Sequence, residues 1–209
     1  SIIHERIMNN KELFITFEGG EGLGKSTLTK RLATDLDTKG YTVRCLREPG
    51  GTPIGEEIRH TLKHSSSNAS MTSETELLLM NASRAQLVRE IIRPALEAGE
   101  VVICDRFYDS TIAYQGYGRG LNLKAIQGII DFAVGETKPD ITFWIDGTIE
   151  QGRENRYQQS AAAALERGET KVRDRFEDDL DIAFFERVYQ GFAAVYESDK
   201  QRVKRIPYL

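Results

Sequence analysis

From Gly19 to Ser26 the chain reads Gly-Gly-Glu-Gly-Leu-Gly-Lys-Ser, which satisfies the pattern Gly-x-x-x-x-Gly-Lys-Ser/Thr. Glycines let the backbone curl until successive N–H groups point inward, and such a concavity binds phosphate oxygens. The N-terminus of a following helix adds partial positive charge at the same place. Lys25 would then reach the β- and γ-phosphates of a nucleoside triphosphate, and the Ser26 hydroxyl would ligate Mg²⁺. The whole stretch is assigned to ATP: Gly19, Gly20, Glu21, Gly22, Leu23, Gly24, Lys25, Ser26 and Thr27. The context agrees. Leu13-Phe14-Ile15-Thr16-Phe17 reads as a buried strand before the loop, and Leu28, Leu32 and Leu36 stripe a helix after it. A ligand-free turn would have to match the glycines, the lysine and the serine by accident.

Triphosphate use leaves two classes open, a GTPase-like switch and a kinase for a small acceptor. The guanine-reading sequence Asn-Lys-x-Asp is absent. A kinase brings two negatively charged phosphates together, so it needs cations beyond Lys25. Asp105-Arg106 directly follows the apolar run Val101-Val102-Ile103-Cys104. Strand carboxyl ends line the ligand crevice of a doubly wound sheet, where Asp105 can join the magnesium shell and Arg106 can bridge donor and acceptor phosphates. The bland alternative is a surface ion pair at a strand end. Asp146, after Ile141–Ile145, is the rival carboxylate, without an adjacent arginine. Arg84 shares a helical stripe with Met80, Leu87 and Ile91, and an arginine there needs an anion or a carboxylate partner. A buried structural ion pair is the competing reading. His60 and His64 stand one helical turn apart, but with no third ligand nearby they read as a solvated helix face. Gly116, Gly118 and Gly120 follow a helix rather than a strand, so they read as a flexible loop and not as a dinucleotide fingerprint.

These residues need a frame. Strand-like runs at 13–17, 41–46, 101–104, 141–145 and 202–206 alternate with helical stripes. Thr52-Pro53 reads as the cap and first residue of a helix reaching about His64. Ser73 with Glu76 fits a capping box opening a long helix that Pro94 kinks or divides. Further helices are expected from Tyr108 to about Tyr114, over Ala125–Val134, after Asp146 to about Tyr157, and along Phe185, Val188, Phe192 and Val195. Short strands, apolar on both faces and separated by helices, imply an α/β three-layer sandwich with a parallel sheet of about five strands. A chain of 209 residues can bury about 70% of its unfolded surface, so one domain over 1–209 is expected, with a frayed extension over 1–10. The net charge of −4 argues against non-specific nucleic-acid binding, which draws on a basic excess. Cys45 and Cys104 give neither a disulfide framework nor a zinc spacing and read as buried, reduced thiols. No apolar run approaches a membrane span and the polar N-terminus is no secretory signal, so a cytoplasmic protein is expected.

Several stretches carry a resemblance when taken in order. They are Phe17-Glu18-Gly19-Gly20-Glu21-Gly22, Arg47-Glu48-Pro49-Gly50-Gly51-Thr52, Glu76-Leu77-Leu78-Leu79 running to Arg84, and Asp105-Arg106-Phe107 with Ser110-Thr111-x-Ala113-Tyr114-Gln115-Gly116. Gly118-Arg119-Gly120 and Asp174-Arg175-Phe176-Glu177 complete the set. Together they resemble the thymidylate kinase family over most of the chain. The resemblance implies a homodimeric P-loop kinase that, with Mg²⁺, moves the γ-phosphoryl group of ATP to dTMP. It implies that Arg59, Arg84 and Arg106 surround the acceptor phosphate and that Glu21 lies at the deoxyribose 3′-hydroxyl. It implies that Thr111, Tyr114 and Gln115 lie near base and sugar, where Tyr114 can crowd a ribose 2′-hydroxyl. Glu48-Pro49 would begin the loop that holds the acceptor. Arginines suit such a site through charge-assisted, often bidentate contacts.

Some family members place a catalytic arginine in the phosphate loop. Here Gly22 follows Glu21, so the resemblance implies a cation from a lid, about residues 153–175. Arg153, Arg156, Arg167, Lys171 and Arg173 are available there, and Arg167-Gly168-Glu169 looks most like the family's lid motif. Leu23 replaces a small residue, its side chain expected to point away. Met80 stands where the family usually has a phenylalanine stacked on thymine, which leaves a nucleoside monophosphate kinase of altered base choice as the nearest alternative. A catalytically silent nucleotide-binding module is the alternative from another class, opposed by intact Lys25, Ser26, Asp105 and Arg106.

Overall fold

The structure, a computed structural model, describes residues 2–9, 11–170 and 182–209. Leu13–Gly19 (β1), Val43–Arg47 (β2), Val101–Asp105 (β3), Ile141–Asp146 (β4) and Val203–Pro207 (β5) form one wholly parallel sheet in the order β2-β3-β1-β4-β5. Central β1 is buried along its whole length. Its alternate side chains serve two layers. Phe14 joins Val102, Leu87, Val88, Ile126 and Ile130 on one face. Leu13, Ile15 and Phe17 join Ile103, Ile145 and Leu36 on the other. Covering both faces is what makes the strand apolar at every position rather than alternating. The register sets Phe17 beside Asp105 on β3 and beside Phe143 on β4, so the loops after β1 and β3 open at one level.

The helices are Ile2–Met8 (α1), Lys25–Thr38 (α2), Pro53–Lys63 (α3), Ser73–Leu87 (α4), Arg93–Glu97 (α5), Tyr108–Thr111 (α6), Leu123–Val134 (α7), Ile149–Glu166 (α8) and Ile182–Ser198 (α9). Among the described residues none is long and apolar enough to cross a membrane. Thr52 caps α3 as expected, accepting from the Gly55 N–H at 2.9 Å.

Several expectations are corrected. Residues 2–8 are helical rather than frayed, because Ile3 and Ile7, one turn apart, pack against the core while Arg6 pairs with Asp140 at 2.7 Å. The cap of α4 is Thr72, one residue early: its hydroxyl accepts from the Thr75 N–H, and Ser73 is already helical. Pro94 does divide the long helix, as expected: a π-helical turn over Val88–Ile92 separates α4 from α5, in whose first turn Pro94 stands. Gly116 and Gly118 are not a flexible loop. They lie in a π-helical stretch, Ile112–Gly118, where a Cβ on Gly116 would meet Leu123 at 2.6 Å and one on Gly118 would meet Phe184 at 2.6 Å. Cys45 is exposed, because β2 is an edge strand; Cys104 on β3 is buried. Finally, α8 runs past Tyr157 to Glu166. A Thr148–Gln151 capping box starts it, and the alanines 161–164, the strongest helix formers, carry it on. Lys171, Arg173 and the stretch Asp174–Glu177 lie outside the described residues.

Candidate active site

The phosphate loop connects β1 to α2. Gly19 has φ 138°, and a Cβ there would lie 2.7 Å from the Ile145 carbonyl, so only glycine lets the strand end this close to β4. Lys25 opens α2, is 7% exposed, and donates from Nζ to the Gly20 carbonyl at 2.6 Å. Burial, then the Arg106 charge, push its ammonium down to about 8. Leu23 turns away into the core as expected, 3% exposed. Ser26, Thr27, Asp105 and Arg59 line the same cleft. The Asp105 carboxylate makes no hydrogen bond or ion pair with a described residue. A carboxylate and a hydroxyl facing a phosphate site are hard oxygen donors of the kind Mg²⁺ takes while keeping water and phosphate ligands. No His/Cys/Asp/Glu group of metal-holding size occurs among the described residues, so any such ion would depend on the phosphates. Asp146, the rival, is occupied elsewhere, accepting from Tyr189 Oη at 2.7 Å and pairing with Arg205.

Arg106 follows β3 with φ 69°, left-handed backbone in a non-glycine residue. Its N–H bonds the Phe17 carbonyl at 2.9 Å, Nη1 donates to Ser110 Oγ at 3.1 Å, and Nη2 donates to Glu21 at 3.4 Å. The guanidinium also lies 5.2 Å from the Tyr114 ring centre. The unusual turn is pinned by Glu18, which accepts from the Phe107 N–H at 2.6 Å and from Ser110 Oγ. Burial, then Asp109, raise the Glu18 carboxyl to about 8. Sequence reasoning passed over Glu18; the available signal was a carboxylate in a strand apolar on both faces. Burial alone would raise the Glu21 carboxyl, but Arg106, Lys25 and Lys63 outweigh it and hold it below the ordinary value.

Beside this cleft lies a second pocket. Glu48, Pro49, Met80, Arg84, Thr111, Tyr114 and Gln115 line it together, with Glu21 and Arg106. Arg84 is 2% exposed and fully committed. Nε donates to Glu48 at 2.9 Å, Nη1 to Asn81 and Thr111 at 3.0 Å each, and Nη2 to the Phe107 carbonyl at 3.2 Å and to Glu48 at 2.8 Å. The buried ion pair is therefore real, and no N–H of Arg84 remains for a phosphate. Burial raises the Glu48 carboxyl even though Arg84 draws it back down. Gln115 donates from Nε2 to Glu76 at 2.8 Å, and Arg119 Nε reaches the same carboxylate at 3.2 Å. That leaves Gln115 Oε1 without a donor from a described residue. The Tyr114 hydroxyl is buried with no hydrogen-bond partner among the described residues. Lys63, Glu76 and Arg119 were not anticipated here; their meaning depends on how α3, α4 and the π-helical stretch meet.

Helix α8, in the stretch expected to be the lid, rests directly on the phosphate loop. Asn155 Nδ2 donates to the Gly22 carbonyl at 2.6 Å, and a Cβ on Gly22 would stand 2.3 Å from the Gly152 carbonyl and 2.8 Å from Arg156 Cγ. Arg156 lines a crevice with Gly20, Glu21 and Tyr114. Arg167 does not come to the site: it is exposed and pairs with Glu169 at 3.2 Å. His60 on α3 and His64, which caps its end, are both exposed, their rings 5.9 Å apart, in agreement with a solvated face.

A phosphate loop that shares one arginine with a second nucleotide-sized pocket belongs to the P-loop nucleotide kinases. The profile of the thymidylate kinase family matches residues 17–208, so the chain belongs to that family. It is 44% identical over 194 residues to a thymidylate kinase of Synechococcus sp. (strain JA-2-3B'a(2-13)), covering 93% of this chain and 85% of that protein. It is 45% identical over 196 residues to one from Protochlamydia amoebophila (strain UWE25), covering 94% and 85%. The crystal structure of a thymidylate kinase from Ehrlichia chaffeensis superposes with a TM-score of 0.72 at 34% identity, covering 94% of this chain and 91% of that one.

Proposed function

We infer that this protein transfers the γ-phosphoryl group of ATP to dTMP, giving dTDP and ADP. One observation carries the reading: Arg106 stands where the phosphate cleft and the acceptor pocket meet. Phosphoryl transfer asks the protein for positioning and charge neutralisation rather than covalent chemistry. The loop from Gly19 to Thr27 cradles the donor phosphates, and Lys25 exchanges the Gly20 carbonyl for the β,γ-bridge. Ser26 and Asp105 would hold Mg²⁺, which when bound supplies charge neutralisation across the donor phosphates. Arg106 and Arg59 take the acceptor phosphate, and Glu21 accepts from the sugar 3′-hydroxyl. The Tyr114 ring crowds the 2′ position. Gln115 Oε1 accepts from a base N–H, because its amide nitrogen is tied to Glu76. Arg84 acts by holding Glu48 and Thr111 in place rather than by gripping phosphate, and Arg156 is the lid cation next to the loop. Met80 lies along the pocket wall. A homodimer and a cytoplasmic setting belong to the same reading, supported by exposed Leu78 and Phe132 and by two unpaired thiols.

An ADP-release assay across dTMP, dUMP, dGMP, dCMP and AMP tests it. The expected outcome is the highest kcat/KM for dTMP. A purine monophosphate ahead of dTMP would support the altered-base alternative, and no turnover with any acceptor would support the silent module.

A further inference from the structure

Every Arg84 donor is committed inside the protein. Lys63, the last residue of α3, is a further cation at the junction of the two clefts. It lines both the phosphate cleft and the acceptor pocket, a position shared only by Glu21, Glu48 and Arg106. Its ammonium makes no hydrogen bond or ion pair with a described residue. Arg59 lies one turn earlier on the same helix face, lines the phosphate cleft, and has Nη1 anchored on the Pro49 carbonyl at 2.9 Å. The end of α3 is thus aimed at the junction of the two clefts. Burial, then Arg59, push the Lys63 ammonium below its ordinary value, with Arg106 and Arg47 adding to the effect and Glu21 opposing it. A cation crowded by cations is relieved when a dianion arrives between them.

We propose that Lys63 is a phosphate-binding residue of the acceptor site, reaching the 5′-phosphate of the nucleoside monophosphate from α3 while Arg106 reaches it from the end of β3. The proposal rests on the acceptor reading given above and adds a ligand that neither the phosphate-loop pattern nor the arginine motifs contain. Its signature is dependence on the phosphate alone.

Calorimetric titration of dTMP and of thymidine into wild type, Lys63→Met and Lys63→Arg provides the test. Lys63→Met should weaken dTMP about 10-fold or more, the size of one charge-assisted contact, and leave thymidine within about twofold. It should raise the KM for dTMP without raising that for ATP. Lys63→Arg, which keeps the charge, should hold dTMP within about threefold. Unchanged dTMP affinity in Lys63→Met, or an equal loss for thymidine, overturns the proposal. A wild-type protein that binds dTMP no better than AMP overturns the acceptor reading, and this proposal with it.

Discussion

Lys25 is charged at a cost in this site. Burial and Arg106 bring its ammonium down to about 8, whereas the unfolded chain keeps the ordinary value of 10.5. Between those values the unfolded state binds more protons, so the contribution of Lys25 to stability rises with pH across that window. Triphosphate binding runs the other way, because it needs the charged form. We therefore expect kcat/KM for ATP to fall above about pH 8, approaching tenfold per unit, while the ligand-free fold is not weakened through this group. A profile flat to pH 9.5 would contradict that placement. Lys25→Ala should lower kcat at least ~100-fold, since a transition-state charge contact is lost. Turnover close to wild type would remove this loop from the donor site. Residues of this kind were legible in the sequence, because a phosphate loop is backbone chemistry written in consecutive positions. Arg84 was half legible: its apolar stripe announced a buried partner but not that the partner is Glu48. Lys63 was not legible, and Glu18 only as a carboxylate in an apolar run. A lone glutamate in a strand and a lysine at a helix end acquire meaning only when β1, β3 and α3 are brought together.

At the scale of elements, contact between α8 and the phosphate loop is backbone to backbone. A Cβ on Gly152 would lie 2.2 Å from the Glu21 carbonyl. Such closeness puts Arg156, not Arg167, beside the phosphate loop. Arg156→Ala should lower kcat tenfold or more, and Arg167→Ala should stay within about threefold, as expected for an exposed pair worth ~0–1 kcal/mol. Steady-state kinetics with saturating dTMP decides, and the reverse order would restore Arg167 to the lid role. Helix starts such as Thr52-Pro53 were readable because capping is local chemistry. The glycines after α6 misled, since glycine marks close packing as well as freedom. Gly118 has Phe184 at 2.6 Å and Val188 at 3.0 Å from where a Cβ would stand, so the π-helical stretch and α9 meet there without a gap. Gly118→Ala should therefore destabilise by about 1–3 kcal/mol through overpacking. A melting temperature equal to wild type would mean that α9 can shift at no cost.

The whole molecule has a working side and a back, and α4 has a face on each. Asn81, Arg84 and Leu77 point inward toward the acceptor pocket and core, whereas Leu78 and Ala82, one turn apart, are exposed. On the neighbouring helix α7, Ala125, Gly128 and Phe132 form a matching exposed stripe at helical spacing. Arg89 ties the two helices together, donating to the Ala133 carbonyl at 2.6 Å and to the Phe132 carbonyl at 3.3 Å. Phe132 is 85% exposed and Leu78 57%. Small residues flanked by large apolar ones allow close helix approach, and a two-fold interface uses each residue twice. Covering one phenylalanine is worth about 1.5–3 kcal/mol, so in a symmetric dimer built on this face the pair would contribute about 3–6 kcal/mol. The parallel sheet was legible in the alternating strands and helices. This surface was not, because Phe132 stands among Ile129, Ile130, Ala133 and Val134, and the sequence alone does not separate it from those that face the core. If α4 and α7 form the dimer face, Phe132→Glu loses that burial twice and sets two like charges together. Sedimentation at micromolar protein should then show a dimer for the wild type and a monomer for the variant, and the wild-type melting temperature alone should rise with concentration. A variant that remains dimeric would move the interface to another face.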